Sequence, residues 1–286
     1  MSASSPDWPG TAWLITPATA GPHRFDAALR SGADVWLLDL EDSVPPDSKE
    51  SARRAALAFL AGPSASGAPQ VGLRLNAPGT LAGMEDLVAL ARAGAGGHLL
   101  LIPKVESARD VTLVADVLAG GVRLWALIES PRAVQRLPQI LEVAPLDGVV
   151  FGAADYAAAA GRPLGSAALD WVRAAVAQAA SAAGIPAIDS PCFDLADPTT
   201  LQAEAEFARD LGYCGKGAVH PDQIEAIRAA FAPTDAQLAK ARQVVTAAQS
   251  ADGGITTVDG RMIGPPLVEA ARALTARHSD PSGGTR

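Results

Sequence analysis

Short, nearly continuous apolar runs alternate along this chain with longer stretches of helical periodicity. The runs AWLIT (12–16), DVWLLDL (34–40), QVGLRLN (70–76), HLLLIPK (98–104), RLWALIE (123–129), DGVVFG (147–152), PAIDS (186–190) and GKGAVH (215–220) predict eight strands. Most are apolar throughout rather than alternating, the pattern of strands covered on both faces. Two intervening segments show the helical spacing clearly. Leu169, Val172, Val176, Ala179 and Ala183 are followed by Gly184, and Leu201, Ala205, Ala208 and Leu211 by Gly212. A glycine just past such a pattern is a helix C-terminal signal. Eight strands, each followed by a helix, predict an α/β chain folded as a (β/α)₈ barrel over residues 11–233. A doubly wound open sheet is the alternative, but no GxGxxG follows the first strand. After Pro233 the pattern changes. Thr234 is placed to cap a helix bearing Leu238, Ala241, Val245 and Ala248, and a last helix carries Leu267, Ala271 and Leu274. Residues 234–278 therefore read as a C-terminal helical extension. Its Gly-rich stretch Asp252–Pro266 is long enough for a lid or subunit contact. The Ser/Pro/Gly-rich termini, 1–10 and 279–286, are expected to be loose.

Composition narrows the classes. With 286 residues and 49% hydrophobic content, the chain has material for one large core. A net charge of −8 and a pI near 5.0 argue against nucleic acid or an anionic membrane as a partner. Cys192 and Cys214 form neither a disulfide framework nor a zinc spacing, which fits a reducing cytoplasm. The sequence has no long apolar span, and its first residues lack a basic flank and apolar core, so a soluble cytoplasmic protein is expected.

In a barrel of this kind chemistry gathers where strands end. The second strand ends in Asp39, Glu41 and Asp42, the third in Arg74 and Asn76, the fourth in Lys104 and Glu106. The fifth ends in Glu129, the sixth leads to Asp155, the seventh offers Asp189 and the eighth His220. Glu129 and Asp155, beside Gly152, Ala153 and Ala154, suit a hard divalent cation such as Mg²⁺. Taken alone, the pair reads equally well as two helix N-caps. Acids on three strands with an arginine on a fourth tip the balance, because converging carboxylates repel unless a cation intervenes. Arg74 is a fork suited to a substrate carboxylate, and an ion pair with Asp39 or Glu41 is compatible with that role. Lys104 has the position of a Schiff-base nucleophile, but so many neighbouring acids favour an ion pair. His220, before Pro221, is expected to position a helix start. Asp42 and Asp189 read as caps or salt-bridge partners, the run 49–54 as a solvated helix face, and the two thiols as inert packing.

Seven stretches, GADVWLLDLEDSVPPDSKESAR, LRLN, LIPKVES, ALIES, FGAADY, GYCGKGAVHPDQI and FAPT, occur in this order over nearly the whole chain. Together they resemble the citrate lyase β-subunit-like group of the HpcH/HpaI aldolase family. The resemblance implies a (β/α)₈ barrel with an added helical segment, usually a trimer. It also implies Mg²⁺-dependent carbon–carbon cleavage or condensation between a 2-oxo acid and an acyl-CoA, sometimes with thioester hydrolysis. Mn²⁺ is the alternative ion. Carried over by residue, Glu129 and Asp155 match the metal carboxylates and Arg74 the arginine that grips the oxo acid. Glu41 matches the acid that orients metal-bound water, with Asp42 as its neighbour; Asp39, Lys104 and His220 are supporting groups. The chain departs from the family pattern in three places. Thr11-Ala12 and Pro17-Ala18 stand where relatives commonly have Arg-Ser and Pro-Gly, and the tail motif reads DGRMIG, so Gly264 replaces an acid. Asp259, Glu41 or a metal-bound water then remain as proton donors. Three activities follow as expectations. The first is a lyase acting on a 3-hydroxyacyl-CoA. The others are an aldolase using free 2-oxo acid and aldehyde without CoA, and a non-catalytic oxo-acid or metal-binding protein.

Overall fold

The computed structural model describes residues 10–62, 67–94, 96–142, 146–165, 167–250 and 255–278. The termini expected to be loose lie outside these residues apart from Gly10, as do 251–254 at the start of the tail's Gly-rich stretch. The chain divides into two compact units, Met1–Phe231 and Ala232–Arg286.

The first unit is a closed barrel of eight parallel strands, each paired with the next and β8 with β1. The strands are β1 (Ala12–Pro17), β2 (Val35–Asp39), β3 (Gln70–Arg74), β4 (Leu99–Ile102), β5 (Arg123–Ile128), β6 (Gly148–Phe151), β7 (Ala187–Asp189) and β8 (Gly215–Ala218). All eight predicted runs contain their strand. Helices follow each strand, among them α2 (Lys49–Leu60), α3 (Leu81–Ala93), α5 (Pro131–Gln135), α7 (Ala153–Ala160), α8 (Ala168–Ala183) and α9 (Pro198–Leu211). The two glycines anticipated as helix stops, Gly184 and Gly212, have φ of 71° and 98°, the left-handed conformation that ends α8 and α9. Among the described residues, no helix is long and apolar enough to cross a membrane.

The two sides of the barrel wall carry different cores, because successive strand residues face opposite ways. Trp13, Val35, Leu37, Leu99, Leu101, Trp125, Leu127, Val150 and Ile188 fill the inside. The indoles of Trp13 and Trp125 meet there at a centroid distance of 4.5 Å. Gly148 makes room for the second, since a Cβ at 148 would lie 2.4 Å from that ring. Trp36, Leu38, Leu73, Leu100, Ile102, Leu124, Ala126, Val149 and Phe151 face the helices. The alternation decides what reaches the mouth. Two residues beyond Leu37, Gly72, Leu127 and Val150 on the inward phase stand Asp39, Arg74, Glu129 and Gly152.

Thr11 precedes β1 and sits at the opposite, N-terminal rim, where its amide and that of Ala12 donate to Asp34 at 2.9 Å. The departure at Thr11 therefore concerns the bottom of the barrel rather than the face where strands end. Only Pro17 and Ala18 lie at the upper end of β1.

The second unit is built from α11 (Asp235–Ser250), β9 (Thr256–Val258), β10 (Arg261–Ile263) and α12 (Pro265–His278), around Ala241, Val244, Ala248, Val258, Ile263, Val268 and Ala271. Thr234 caps α11 as expected, its hydroxyl accepting from the Gln237 amide at 3.2 Å while its own amide donates to Gln237 Oε1 at 2.8 Å. Leu267, expected on the apolar face of the last helix, is exposed, and its neighbour Val268 is buried instead. The stretch anticipated as a lid contains an antiparallel hairpin turning at Asp259-Gly260, both with positive φ. Asp-Gly is the pair such a two-residue turn demands.

Candidate active site at the mouth of the barrel

Two arrangements meet where β2 to β6 end. The first is a clamp. Asp39, fully buried, takes Arg74 Nε at 2.7 Å and Nη2 at 2.8 Å in a two-point pair. It also accepts the Glu41 amide at 2.9 Å, the Ser43 amide at 3.2 Å and the Ser43 hydroxyl. Burial alone would raise the Asp39 carboxyl, but the Arg74 bonds and charge outweigh it and hold it below its ordinary value. Arg74 Nη1 faces Glu41 Oε2 at 3.3 Å. The guanidinium has five N–H donors and gives two to Asp39, while Nη1 on its other edge faces Glu41.

The second arrangement is a ring of acids about one ammonium. Lys104 Nζ lies 2.5 Å from Asp155 Oδ1, 3.5 Å from Asp42 Oδ2, 3.6 Å from Glu41 Oε1 and 3.7 Å from Glu129 Oε1. The Lys104 amide donates to Glu129 Oε1 at 2.6 Å from a backbone with φ of 53°, unusual for a residue with a side chain. The other oxygens, Glu129 Oε2 and Glu41 Oε2, are buried without a hydrogen-bond partner. Burial drives the Glu129 carboxyl up to about 8, with Glu41 and Asp155 adding repulsion against the pull of Lys104. Burial likewise brings Glu41 to about 7, opposed by Arg74 and Lys104. Partial burial by itself would lower the Lys104 ammonium, but its bond to Asp155 and the surrounding acids raise it above its ordinary value. Lys104 is thus a cation in an ion-pair cluster and a poor amine nucleophile, in line with the sequence expectation.

Neither Glu129 nor Asp155 is a helix cap. Ser130 caps α5, accepting from the Ala133 amide at 3.1 Å, and Asp155 stands inside the first turn of α7 with its carboxylate on Lys104. Among the described residues, no three His, Cys, Asp or Glu side chains form a ready metal cage. The donors nevertheless fit Mg²⁺, which takes one or two protein carboxylates and completes its shell with water and substrate oxygens. Two carboxylates from adjacent strands reach one cation, and Glu129 Oε2 is buried without a hydrogen-bond partner. Gly152 leaves the space, since a Cβ there would lie 2.9 Å from Glu129 Oε2.

The remaining candidates fall elsewhere. Asp189 lies on the outer phase of β7, taken by Lys216 at 2.7 Å and Arg173 at 3.1 Å, so it is a salt-bridge partner as expected. His220 caps the turn at 221–223, accepting the Asp222 amide on Nδ1 at 3.2 Å. Asp259 pairs with Lys240 within the second unit. Reading 49–54 as a solvated face needs correction. Glu50 and Arg54 are exposed, but Lys49 Nζ holds the carbonyls of Leu40 and Glu41 at 2.7 and 2.6 Å. Arg53 is buried against Asp86 at 2.7 Å, and Asp86 in turn holds the Asn76 amide at 2.8 Å. Lys49 anchors the loop that carries Glu41, and Arg53, through Asp86, the loop that follows Arg74. The sequence hinted at this only through their helical spacing from exposed neighbours.

Comparison with known proteins agrees with the barrel architecture. The family model HpcH/HpaI aldolase/citrate lyase matches residues 18–221. A citrate lyase subunit beta-like protein of Mycobacterium tuberculosis is 34% identical over 277 residues, covering 94% of this chain and 95% of that protein. An L-malyl-CoA/beta-methylmalyl-CoA lyase of Rhodobacter capsulatus is 31% identical over 88% of this chain and 90% of its own length. The crystal structure of CitE from M. tuberculosis in complex with magnesium, acetoacetate and coenzyme A superposes with a TM-score of 0.81 at 32% identity, covering 95% of this chain and 98% of that one. By sequence, architecture and the order of its motifs, the chain belongs to the HpcH/HpaI aldolase/citrate lyase family.

Proposed function

We propose that this protein is a Mg²⁺-dependent lyase that cleaves a 3-hydroxyacyl-CoA to a 2-oxo acid and an acyl-CoA, or joins the two in the reverse direction. The relatives are carbon–carbon lyases, and the chain is an enzyme of that class. The observation that supports the metal assignment is that one ammonium, 2.5 Å from Asp155 and 3.7 Å from Glu129, already lies within reach of both carboxylates. A divalent ion held there supplies Lewis acidity at the oxo-acid oxygens. Arg74 binds the substrate carboxylate through the edge that now faces Glu41, and Asp39 fixes the plane of that guanidinium. Glu41, buried between Arg74 and Lys104, is the side chain placed to hold or pass a proton at the reacting oxygen. Asp259 is the weaker candidate, because the hairpin turn and Lys240 already account for it. A trimer and the use of Mn²⁺ go with this reading.

The aldolase without CoA is the second reading, favoured by Gly264 where relatives carry an acid. A Cβ at 264 would meet only Pro266 Cδ, at 4.0 Å, so an acid fits there sterically. The test is product analysis with Mg²⁺, a 2-oxo acid (oxaloacetate, pyruvate or glyoxylate) and acetyl-CoA or propionyl-CoA. A Mg²⁺-dependent hydroxyacyl-CoA product supports the lyase. Pyruvate release from a free 4-hydroxy-2-oxo acid, with no CoA-ester turnover, replaces it with the aldolase.

A further inference from the structure

Lys104 holds the centre of the site without being a metal ligand or a nucleophile. Its ammonium touches four carboxylates from three loops, yet only Asp155 lies at the length of a strong hydrogen bond. The other three contacts, at 3.5 to 3.7 Å, are mainly Coulombic. The backbone is fixed by the amide bond to Glu129, whereas the side chain is 39% exposed and rides on a flexible four-carbon stem. Asp42, with 55% of its side chain exposed, stands on the solvent side of the ring.

We propose that the Lys104 ammonium is the site's resident counter-cation, occupying the place among Glu41, Glu129 and Asp155 that a divalent ion takes, and that metal loading turns it out toward Asp42 and solvent. The inference rests on the metal assignment made above. An ammonium and a divalent ion cannot share a space bounded by contacts of 2.5 to 3.7 Å, so one must leave. Glu129 is buried and tied to the Lys104 amide, so it is the more mobile ammonium that gives way. Lys104 is thus a positioning residue. It keeps the acids together in the metal-free protein, and it weakens metal binding by having to be displaced.

The test is Mn²⁺ titration of the full chain, followed by electron paramagnetic resonance of free Mn²⁺. Lys104→Met should bind Mn²⁺ about tenfold tighter or more, the effect of removing one unit charge near 4 Å at intermediate dielectric. Lys104→Arg should bind no tighter than wild type. Equal or weaker binding by Lys104→Met overturns the inference and leaves the metal assignment standing. No Mn²⁺ binding by either wild type or Lys104→Met overturns both. A second measurement needs only wild-type protein: amine-acylation footprinting of Lys104 with and without Mg²⁺. Its rate should rise several-fold with Mg²⁺, and an unchanged or lower rate overturns the displacement.

Discussion

Two clusters of buried charge lie on opposite sides of the same barrel wall, and only one looks like a place for chemistry. Between β7, β8, α8 and α9, Lys216 and Arg173 face Asp189 and Glu204: two cations, two anions. Lys216 and Asp189 are fully buried, at 2.7 Å. At the mouth, two cations, Arg74 and Lys104, face five carboxyl groups, Asp39, Glu41, Asp42, Glu129 and Asp155, and Glu41 and Glu129 are raised to about 7 and 8. Both clusters have buried acids at their centre, but only the outer one is balanced. A neutral cluster needs nothing more, whereas an excess of buried anions raises carboxyl pKa values and recruits a cation. Charge balance therefore separates a structural network from a site better than burial or proximity does.

The contrast can be broken at its strongest point first. Asp189→Asn should cost about 3–5 kcal/mol in urea unfolding, because it leaves buried Lys216 and Arg173 with Glu204 as their one carboxylate in the cluster. Metal affinity should not change. A loss of metal binding in that variant would show the two clusters to be coupled.

At the mouth the smaller expected effect is on function. Asp39→Asn removes a charged two-point bond to Arg74, worth roughly 1.5–3 kcal/mol, or about 10- to 150-fold in kcat/KM for an oxo-acid substrate. The same residue carries a pH signature. Its folded carboxyl is held below the ordinary 3.8, so its contribution to stability is present above that value and lost as pH falls through the folded one. Acid unfolding should be shallower below pH 3.8 in Asp39→Asn than in wild type.

The smallest expected effect is none. Lys104 stays an ammonium among acids, so borohydride added with pyruvate should leave no reduced adduct on it by mass spectrometry. A trapped adduct would turn the mouth cluster into a Schiff-base site.

Much of this was legible in the sequence because period-two alternation on doubly covered strands leaves continuous apolar runs. Those runs located all eight strands, and the polar residues at their ends gave Glu129, Arg74 and Asp39. The outer cluster was not legible. Lys216 sits in Gly-Lys-Gly, a run too short to show which way its side chain faces, and Arg173 and Glu204 meet it only through packing of α8 and α9. Arg53 and Lys49 escaped for a related reason. Helical spacing alone does not say which basic residue of a charged run turns inward. The Asp259-Gly260 turn could have been read, since Asp-Gly between TTV and RMI is a hairpin signal.

The claim on which the rest depends is that Glu129 and Asp155 share one divalent ion. Calorimetric titration of Mg²⁺ into wild type, Glu129→Gln and Asp155→Asn tests it most directly. One ion per wild-type chain is expected. Each variant should lose more than the roughly 10–100-fold that an outer-shell partner typically costs, with the barrel still folded. Wild-type affinity in both variants would contradict the account.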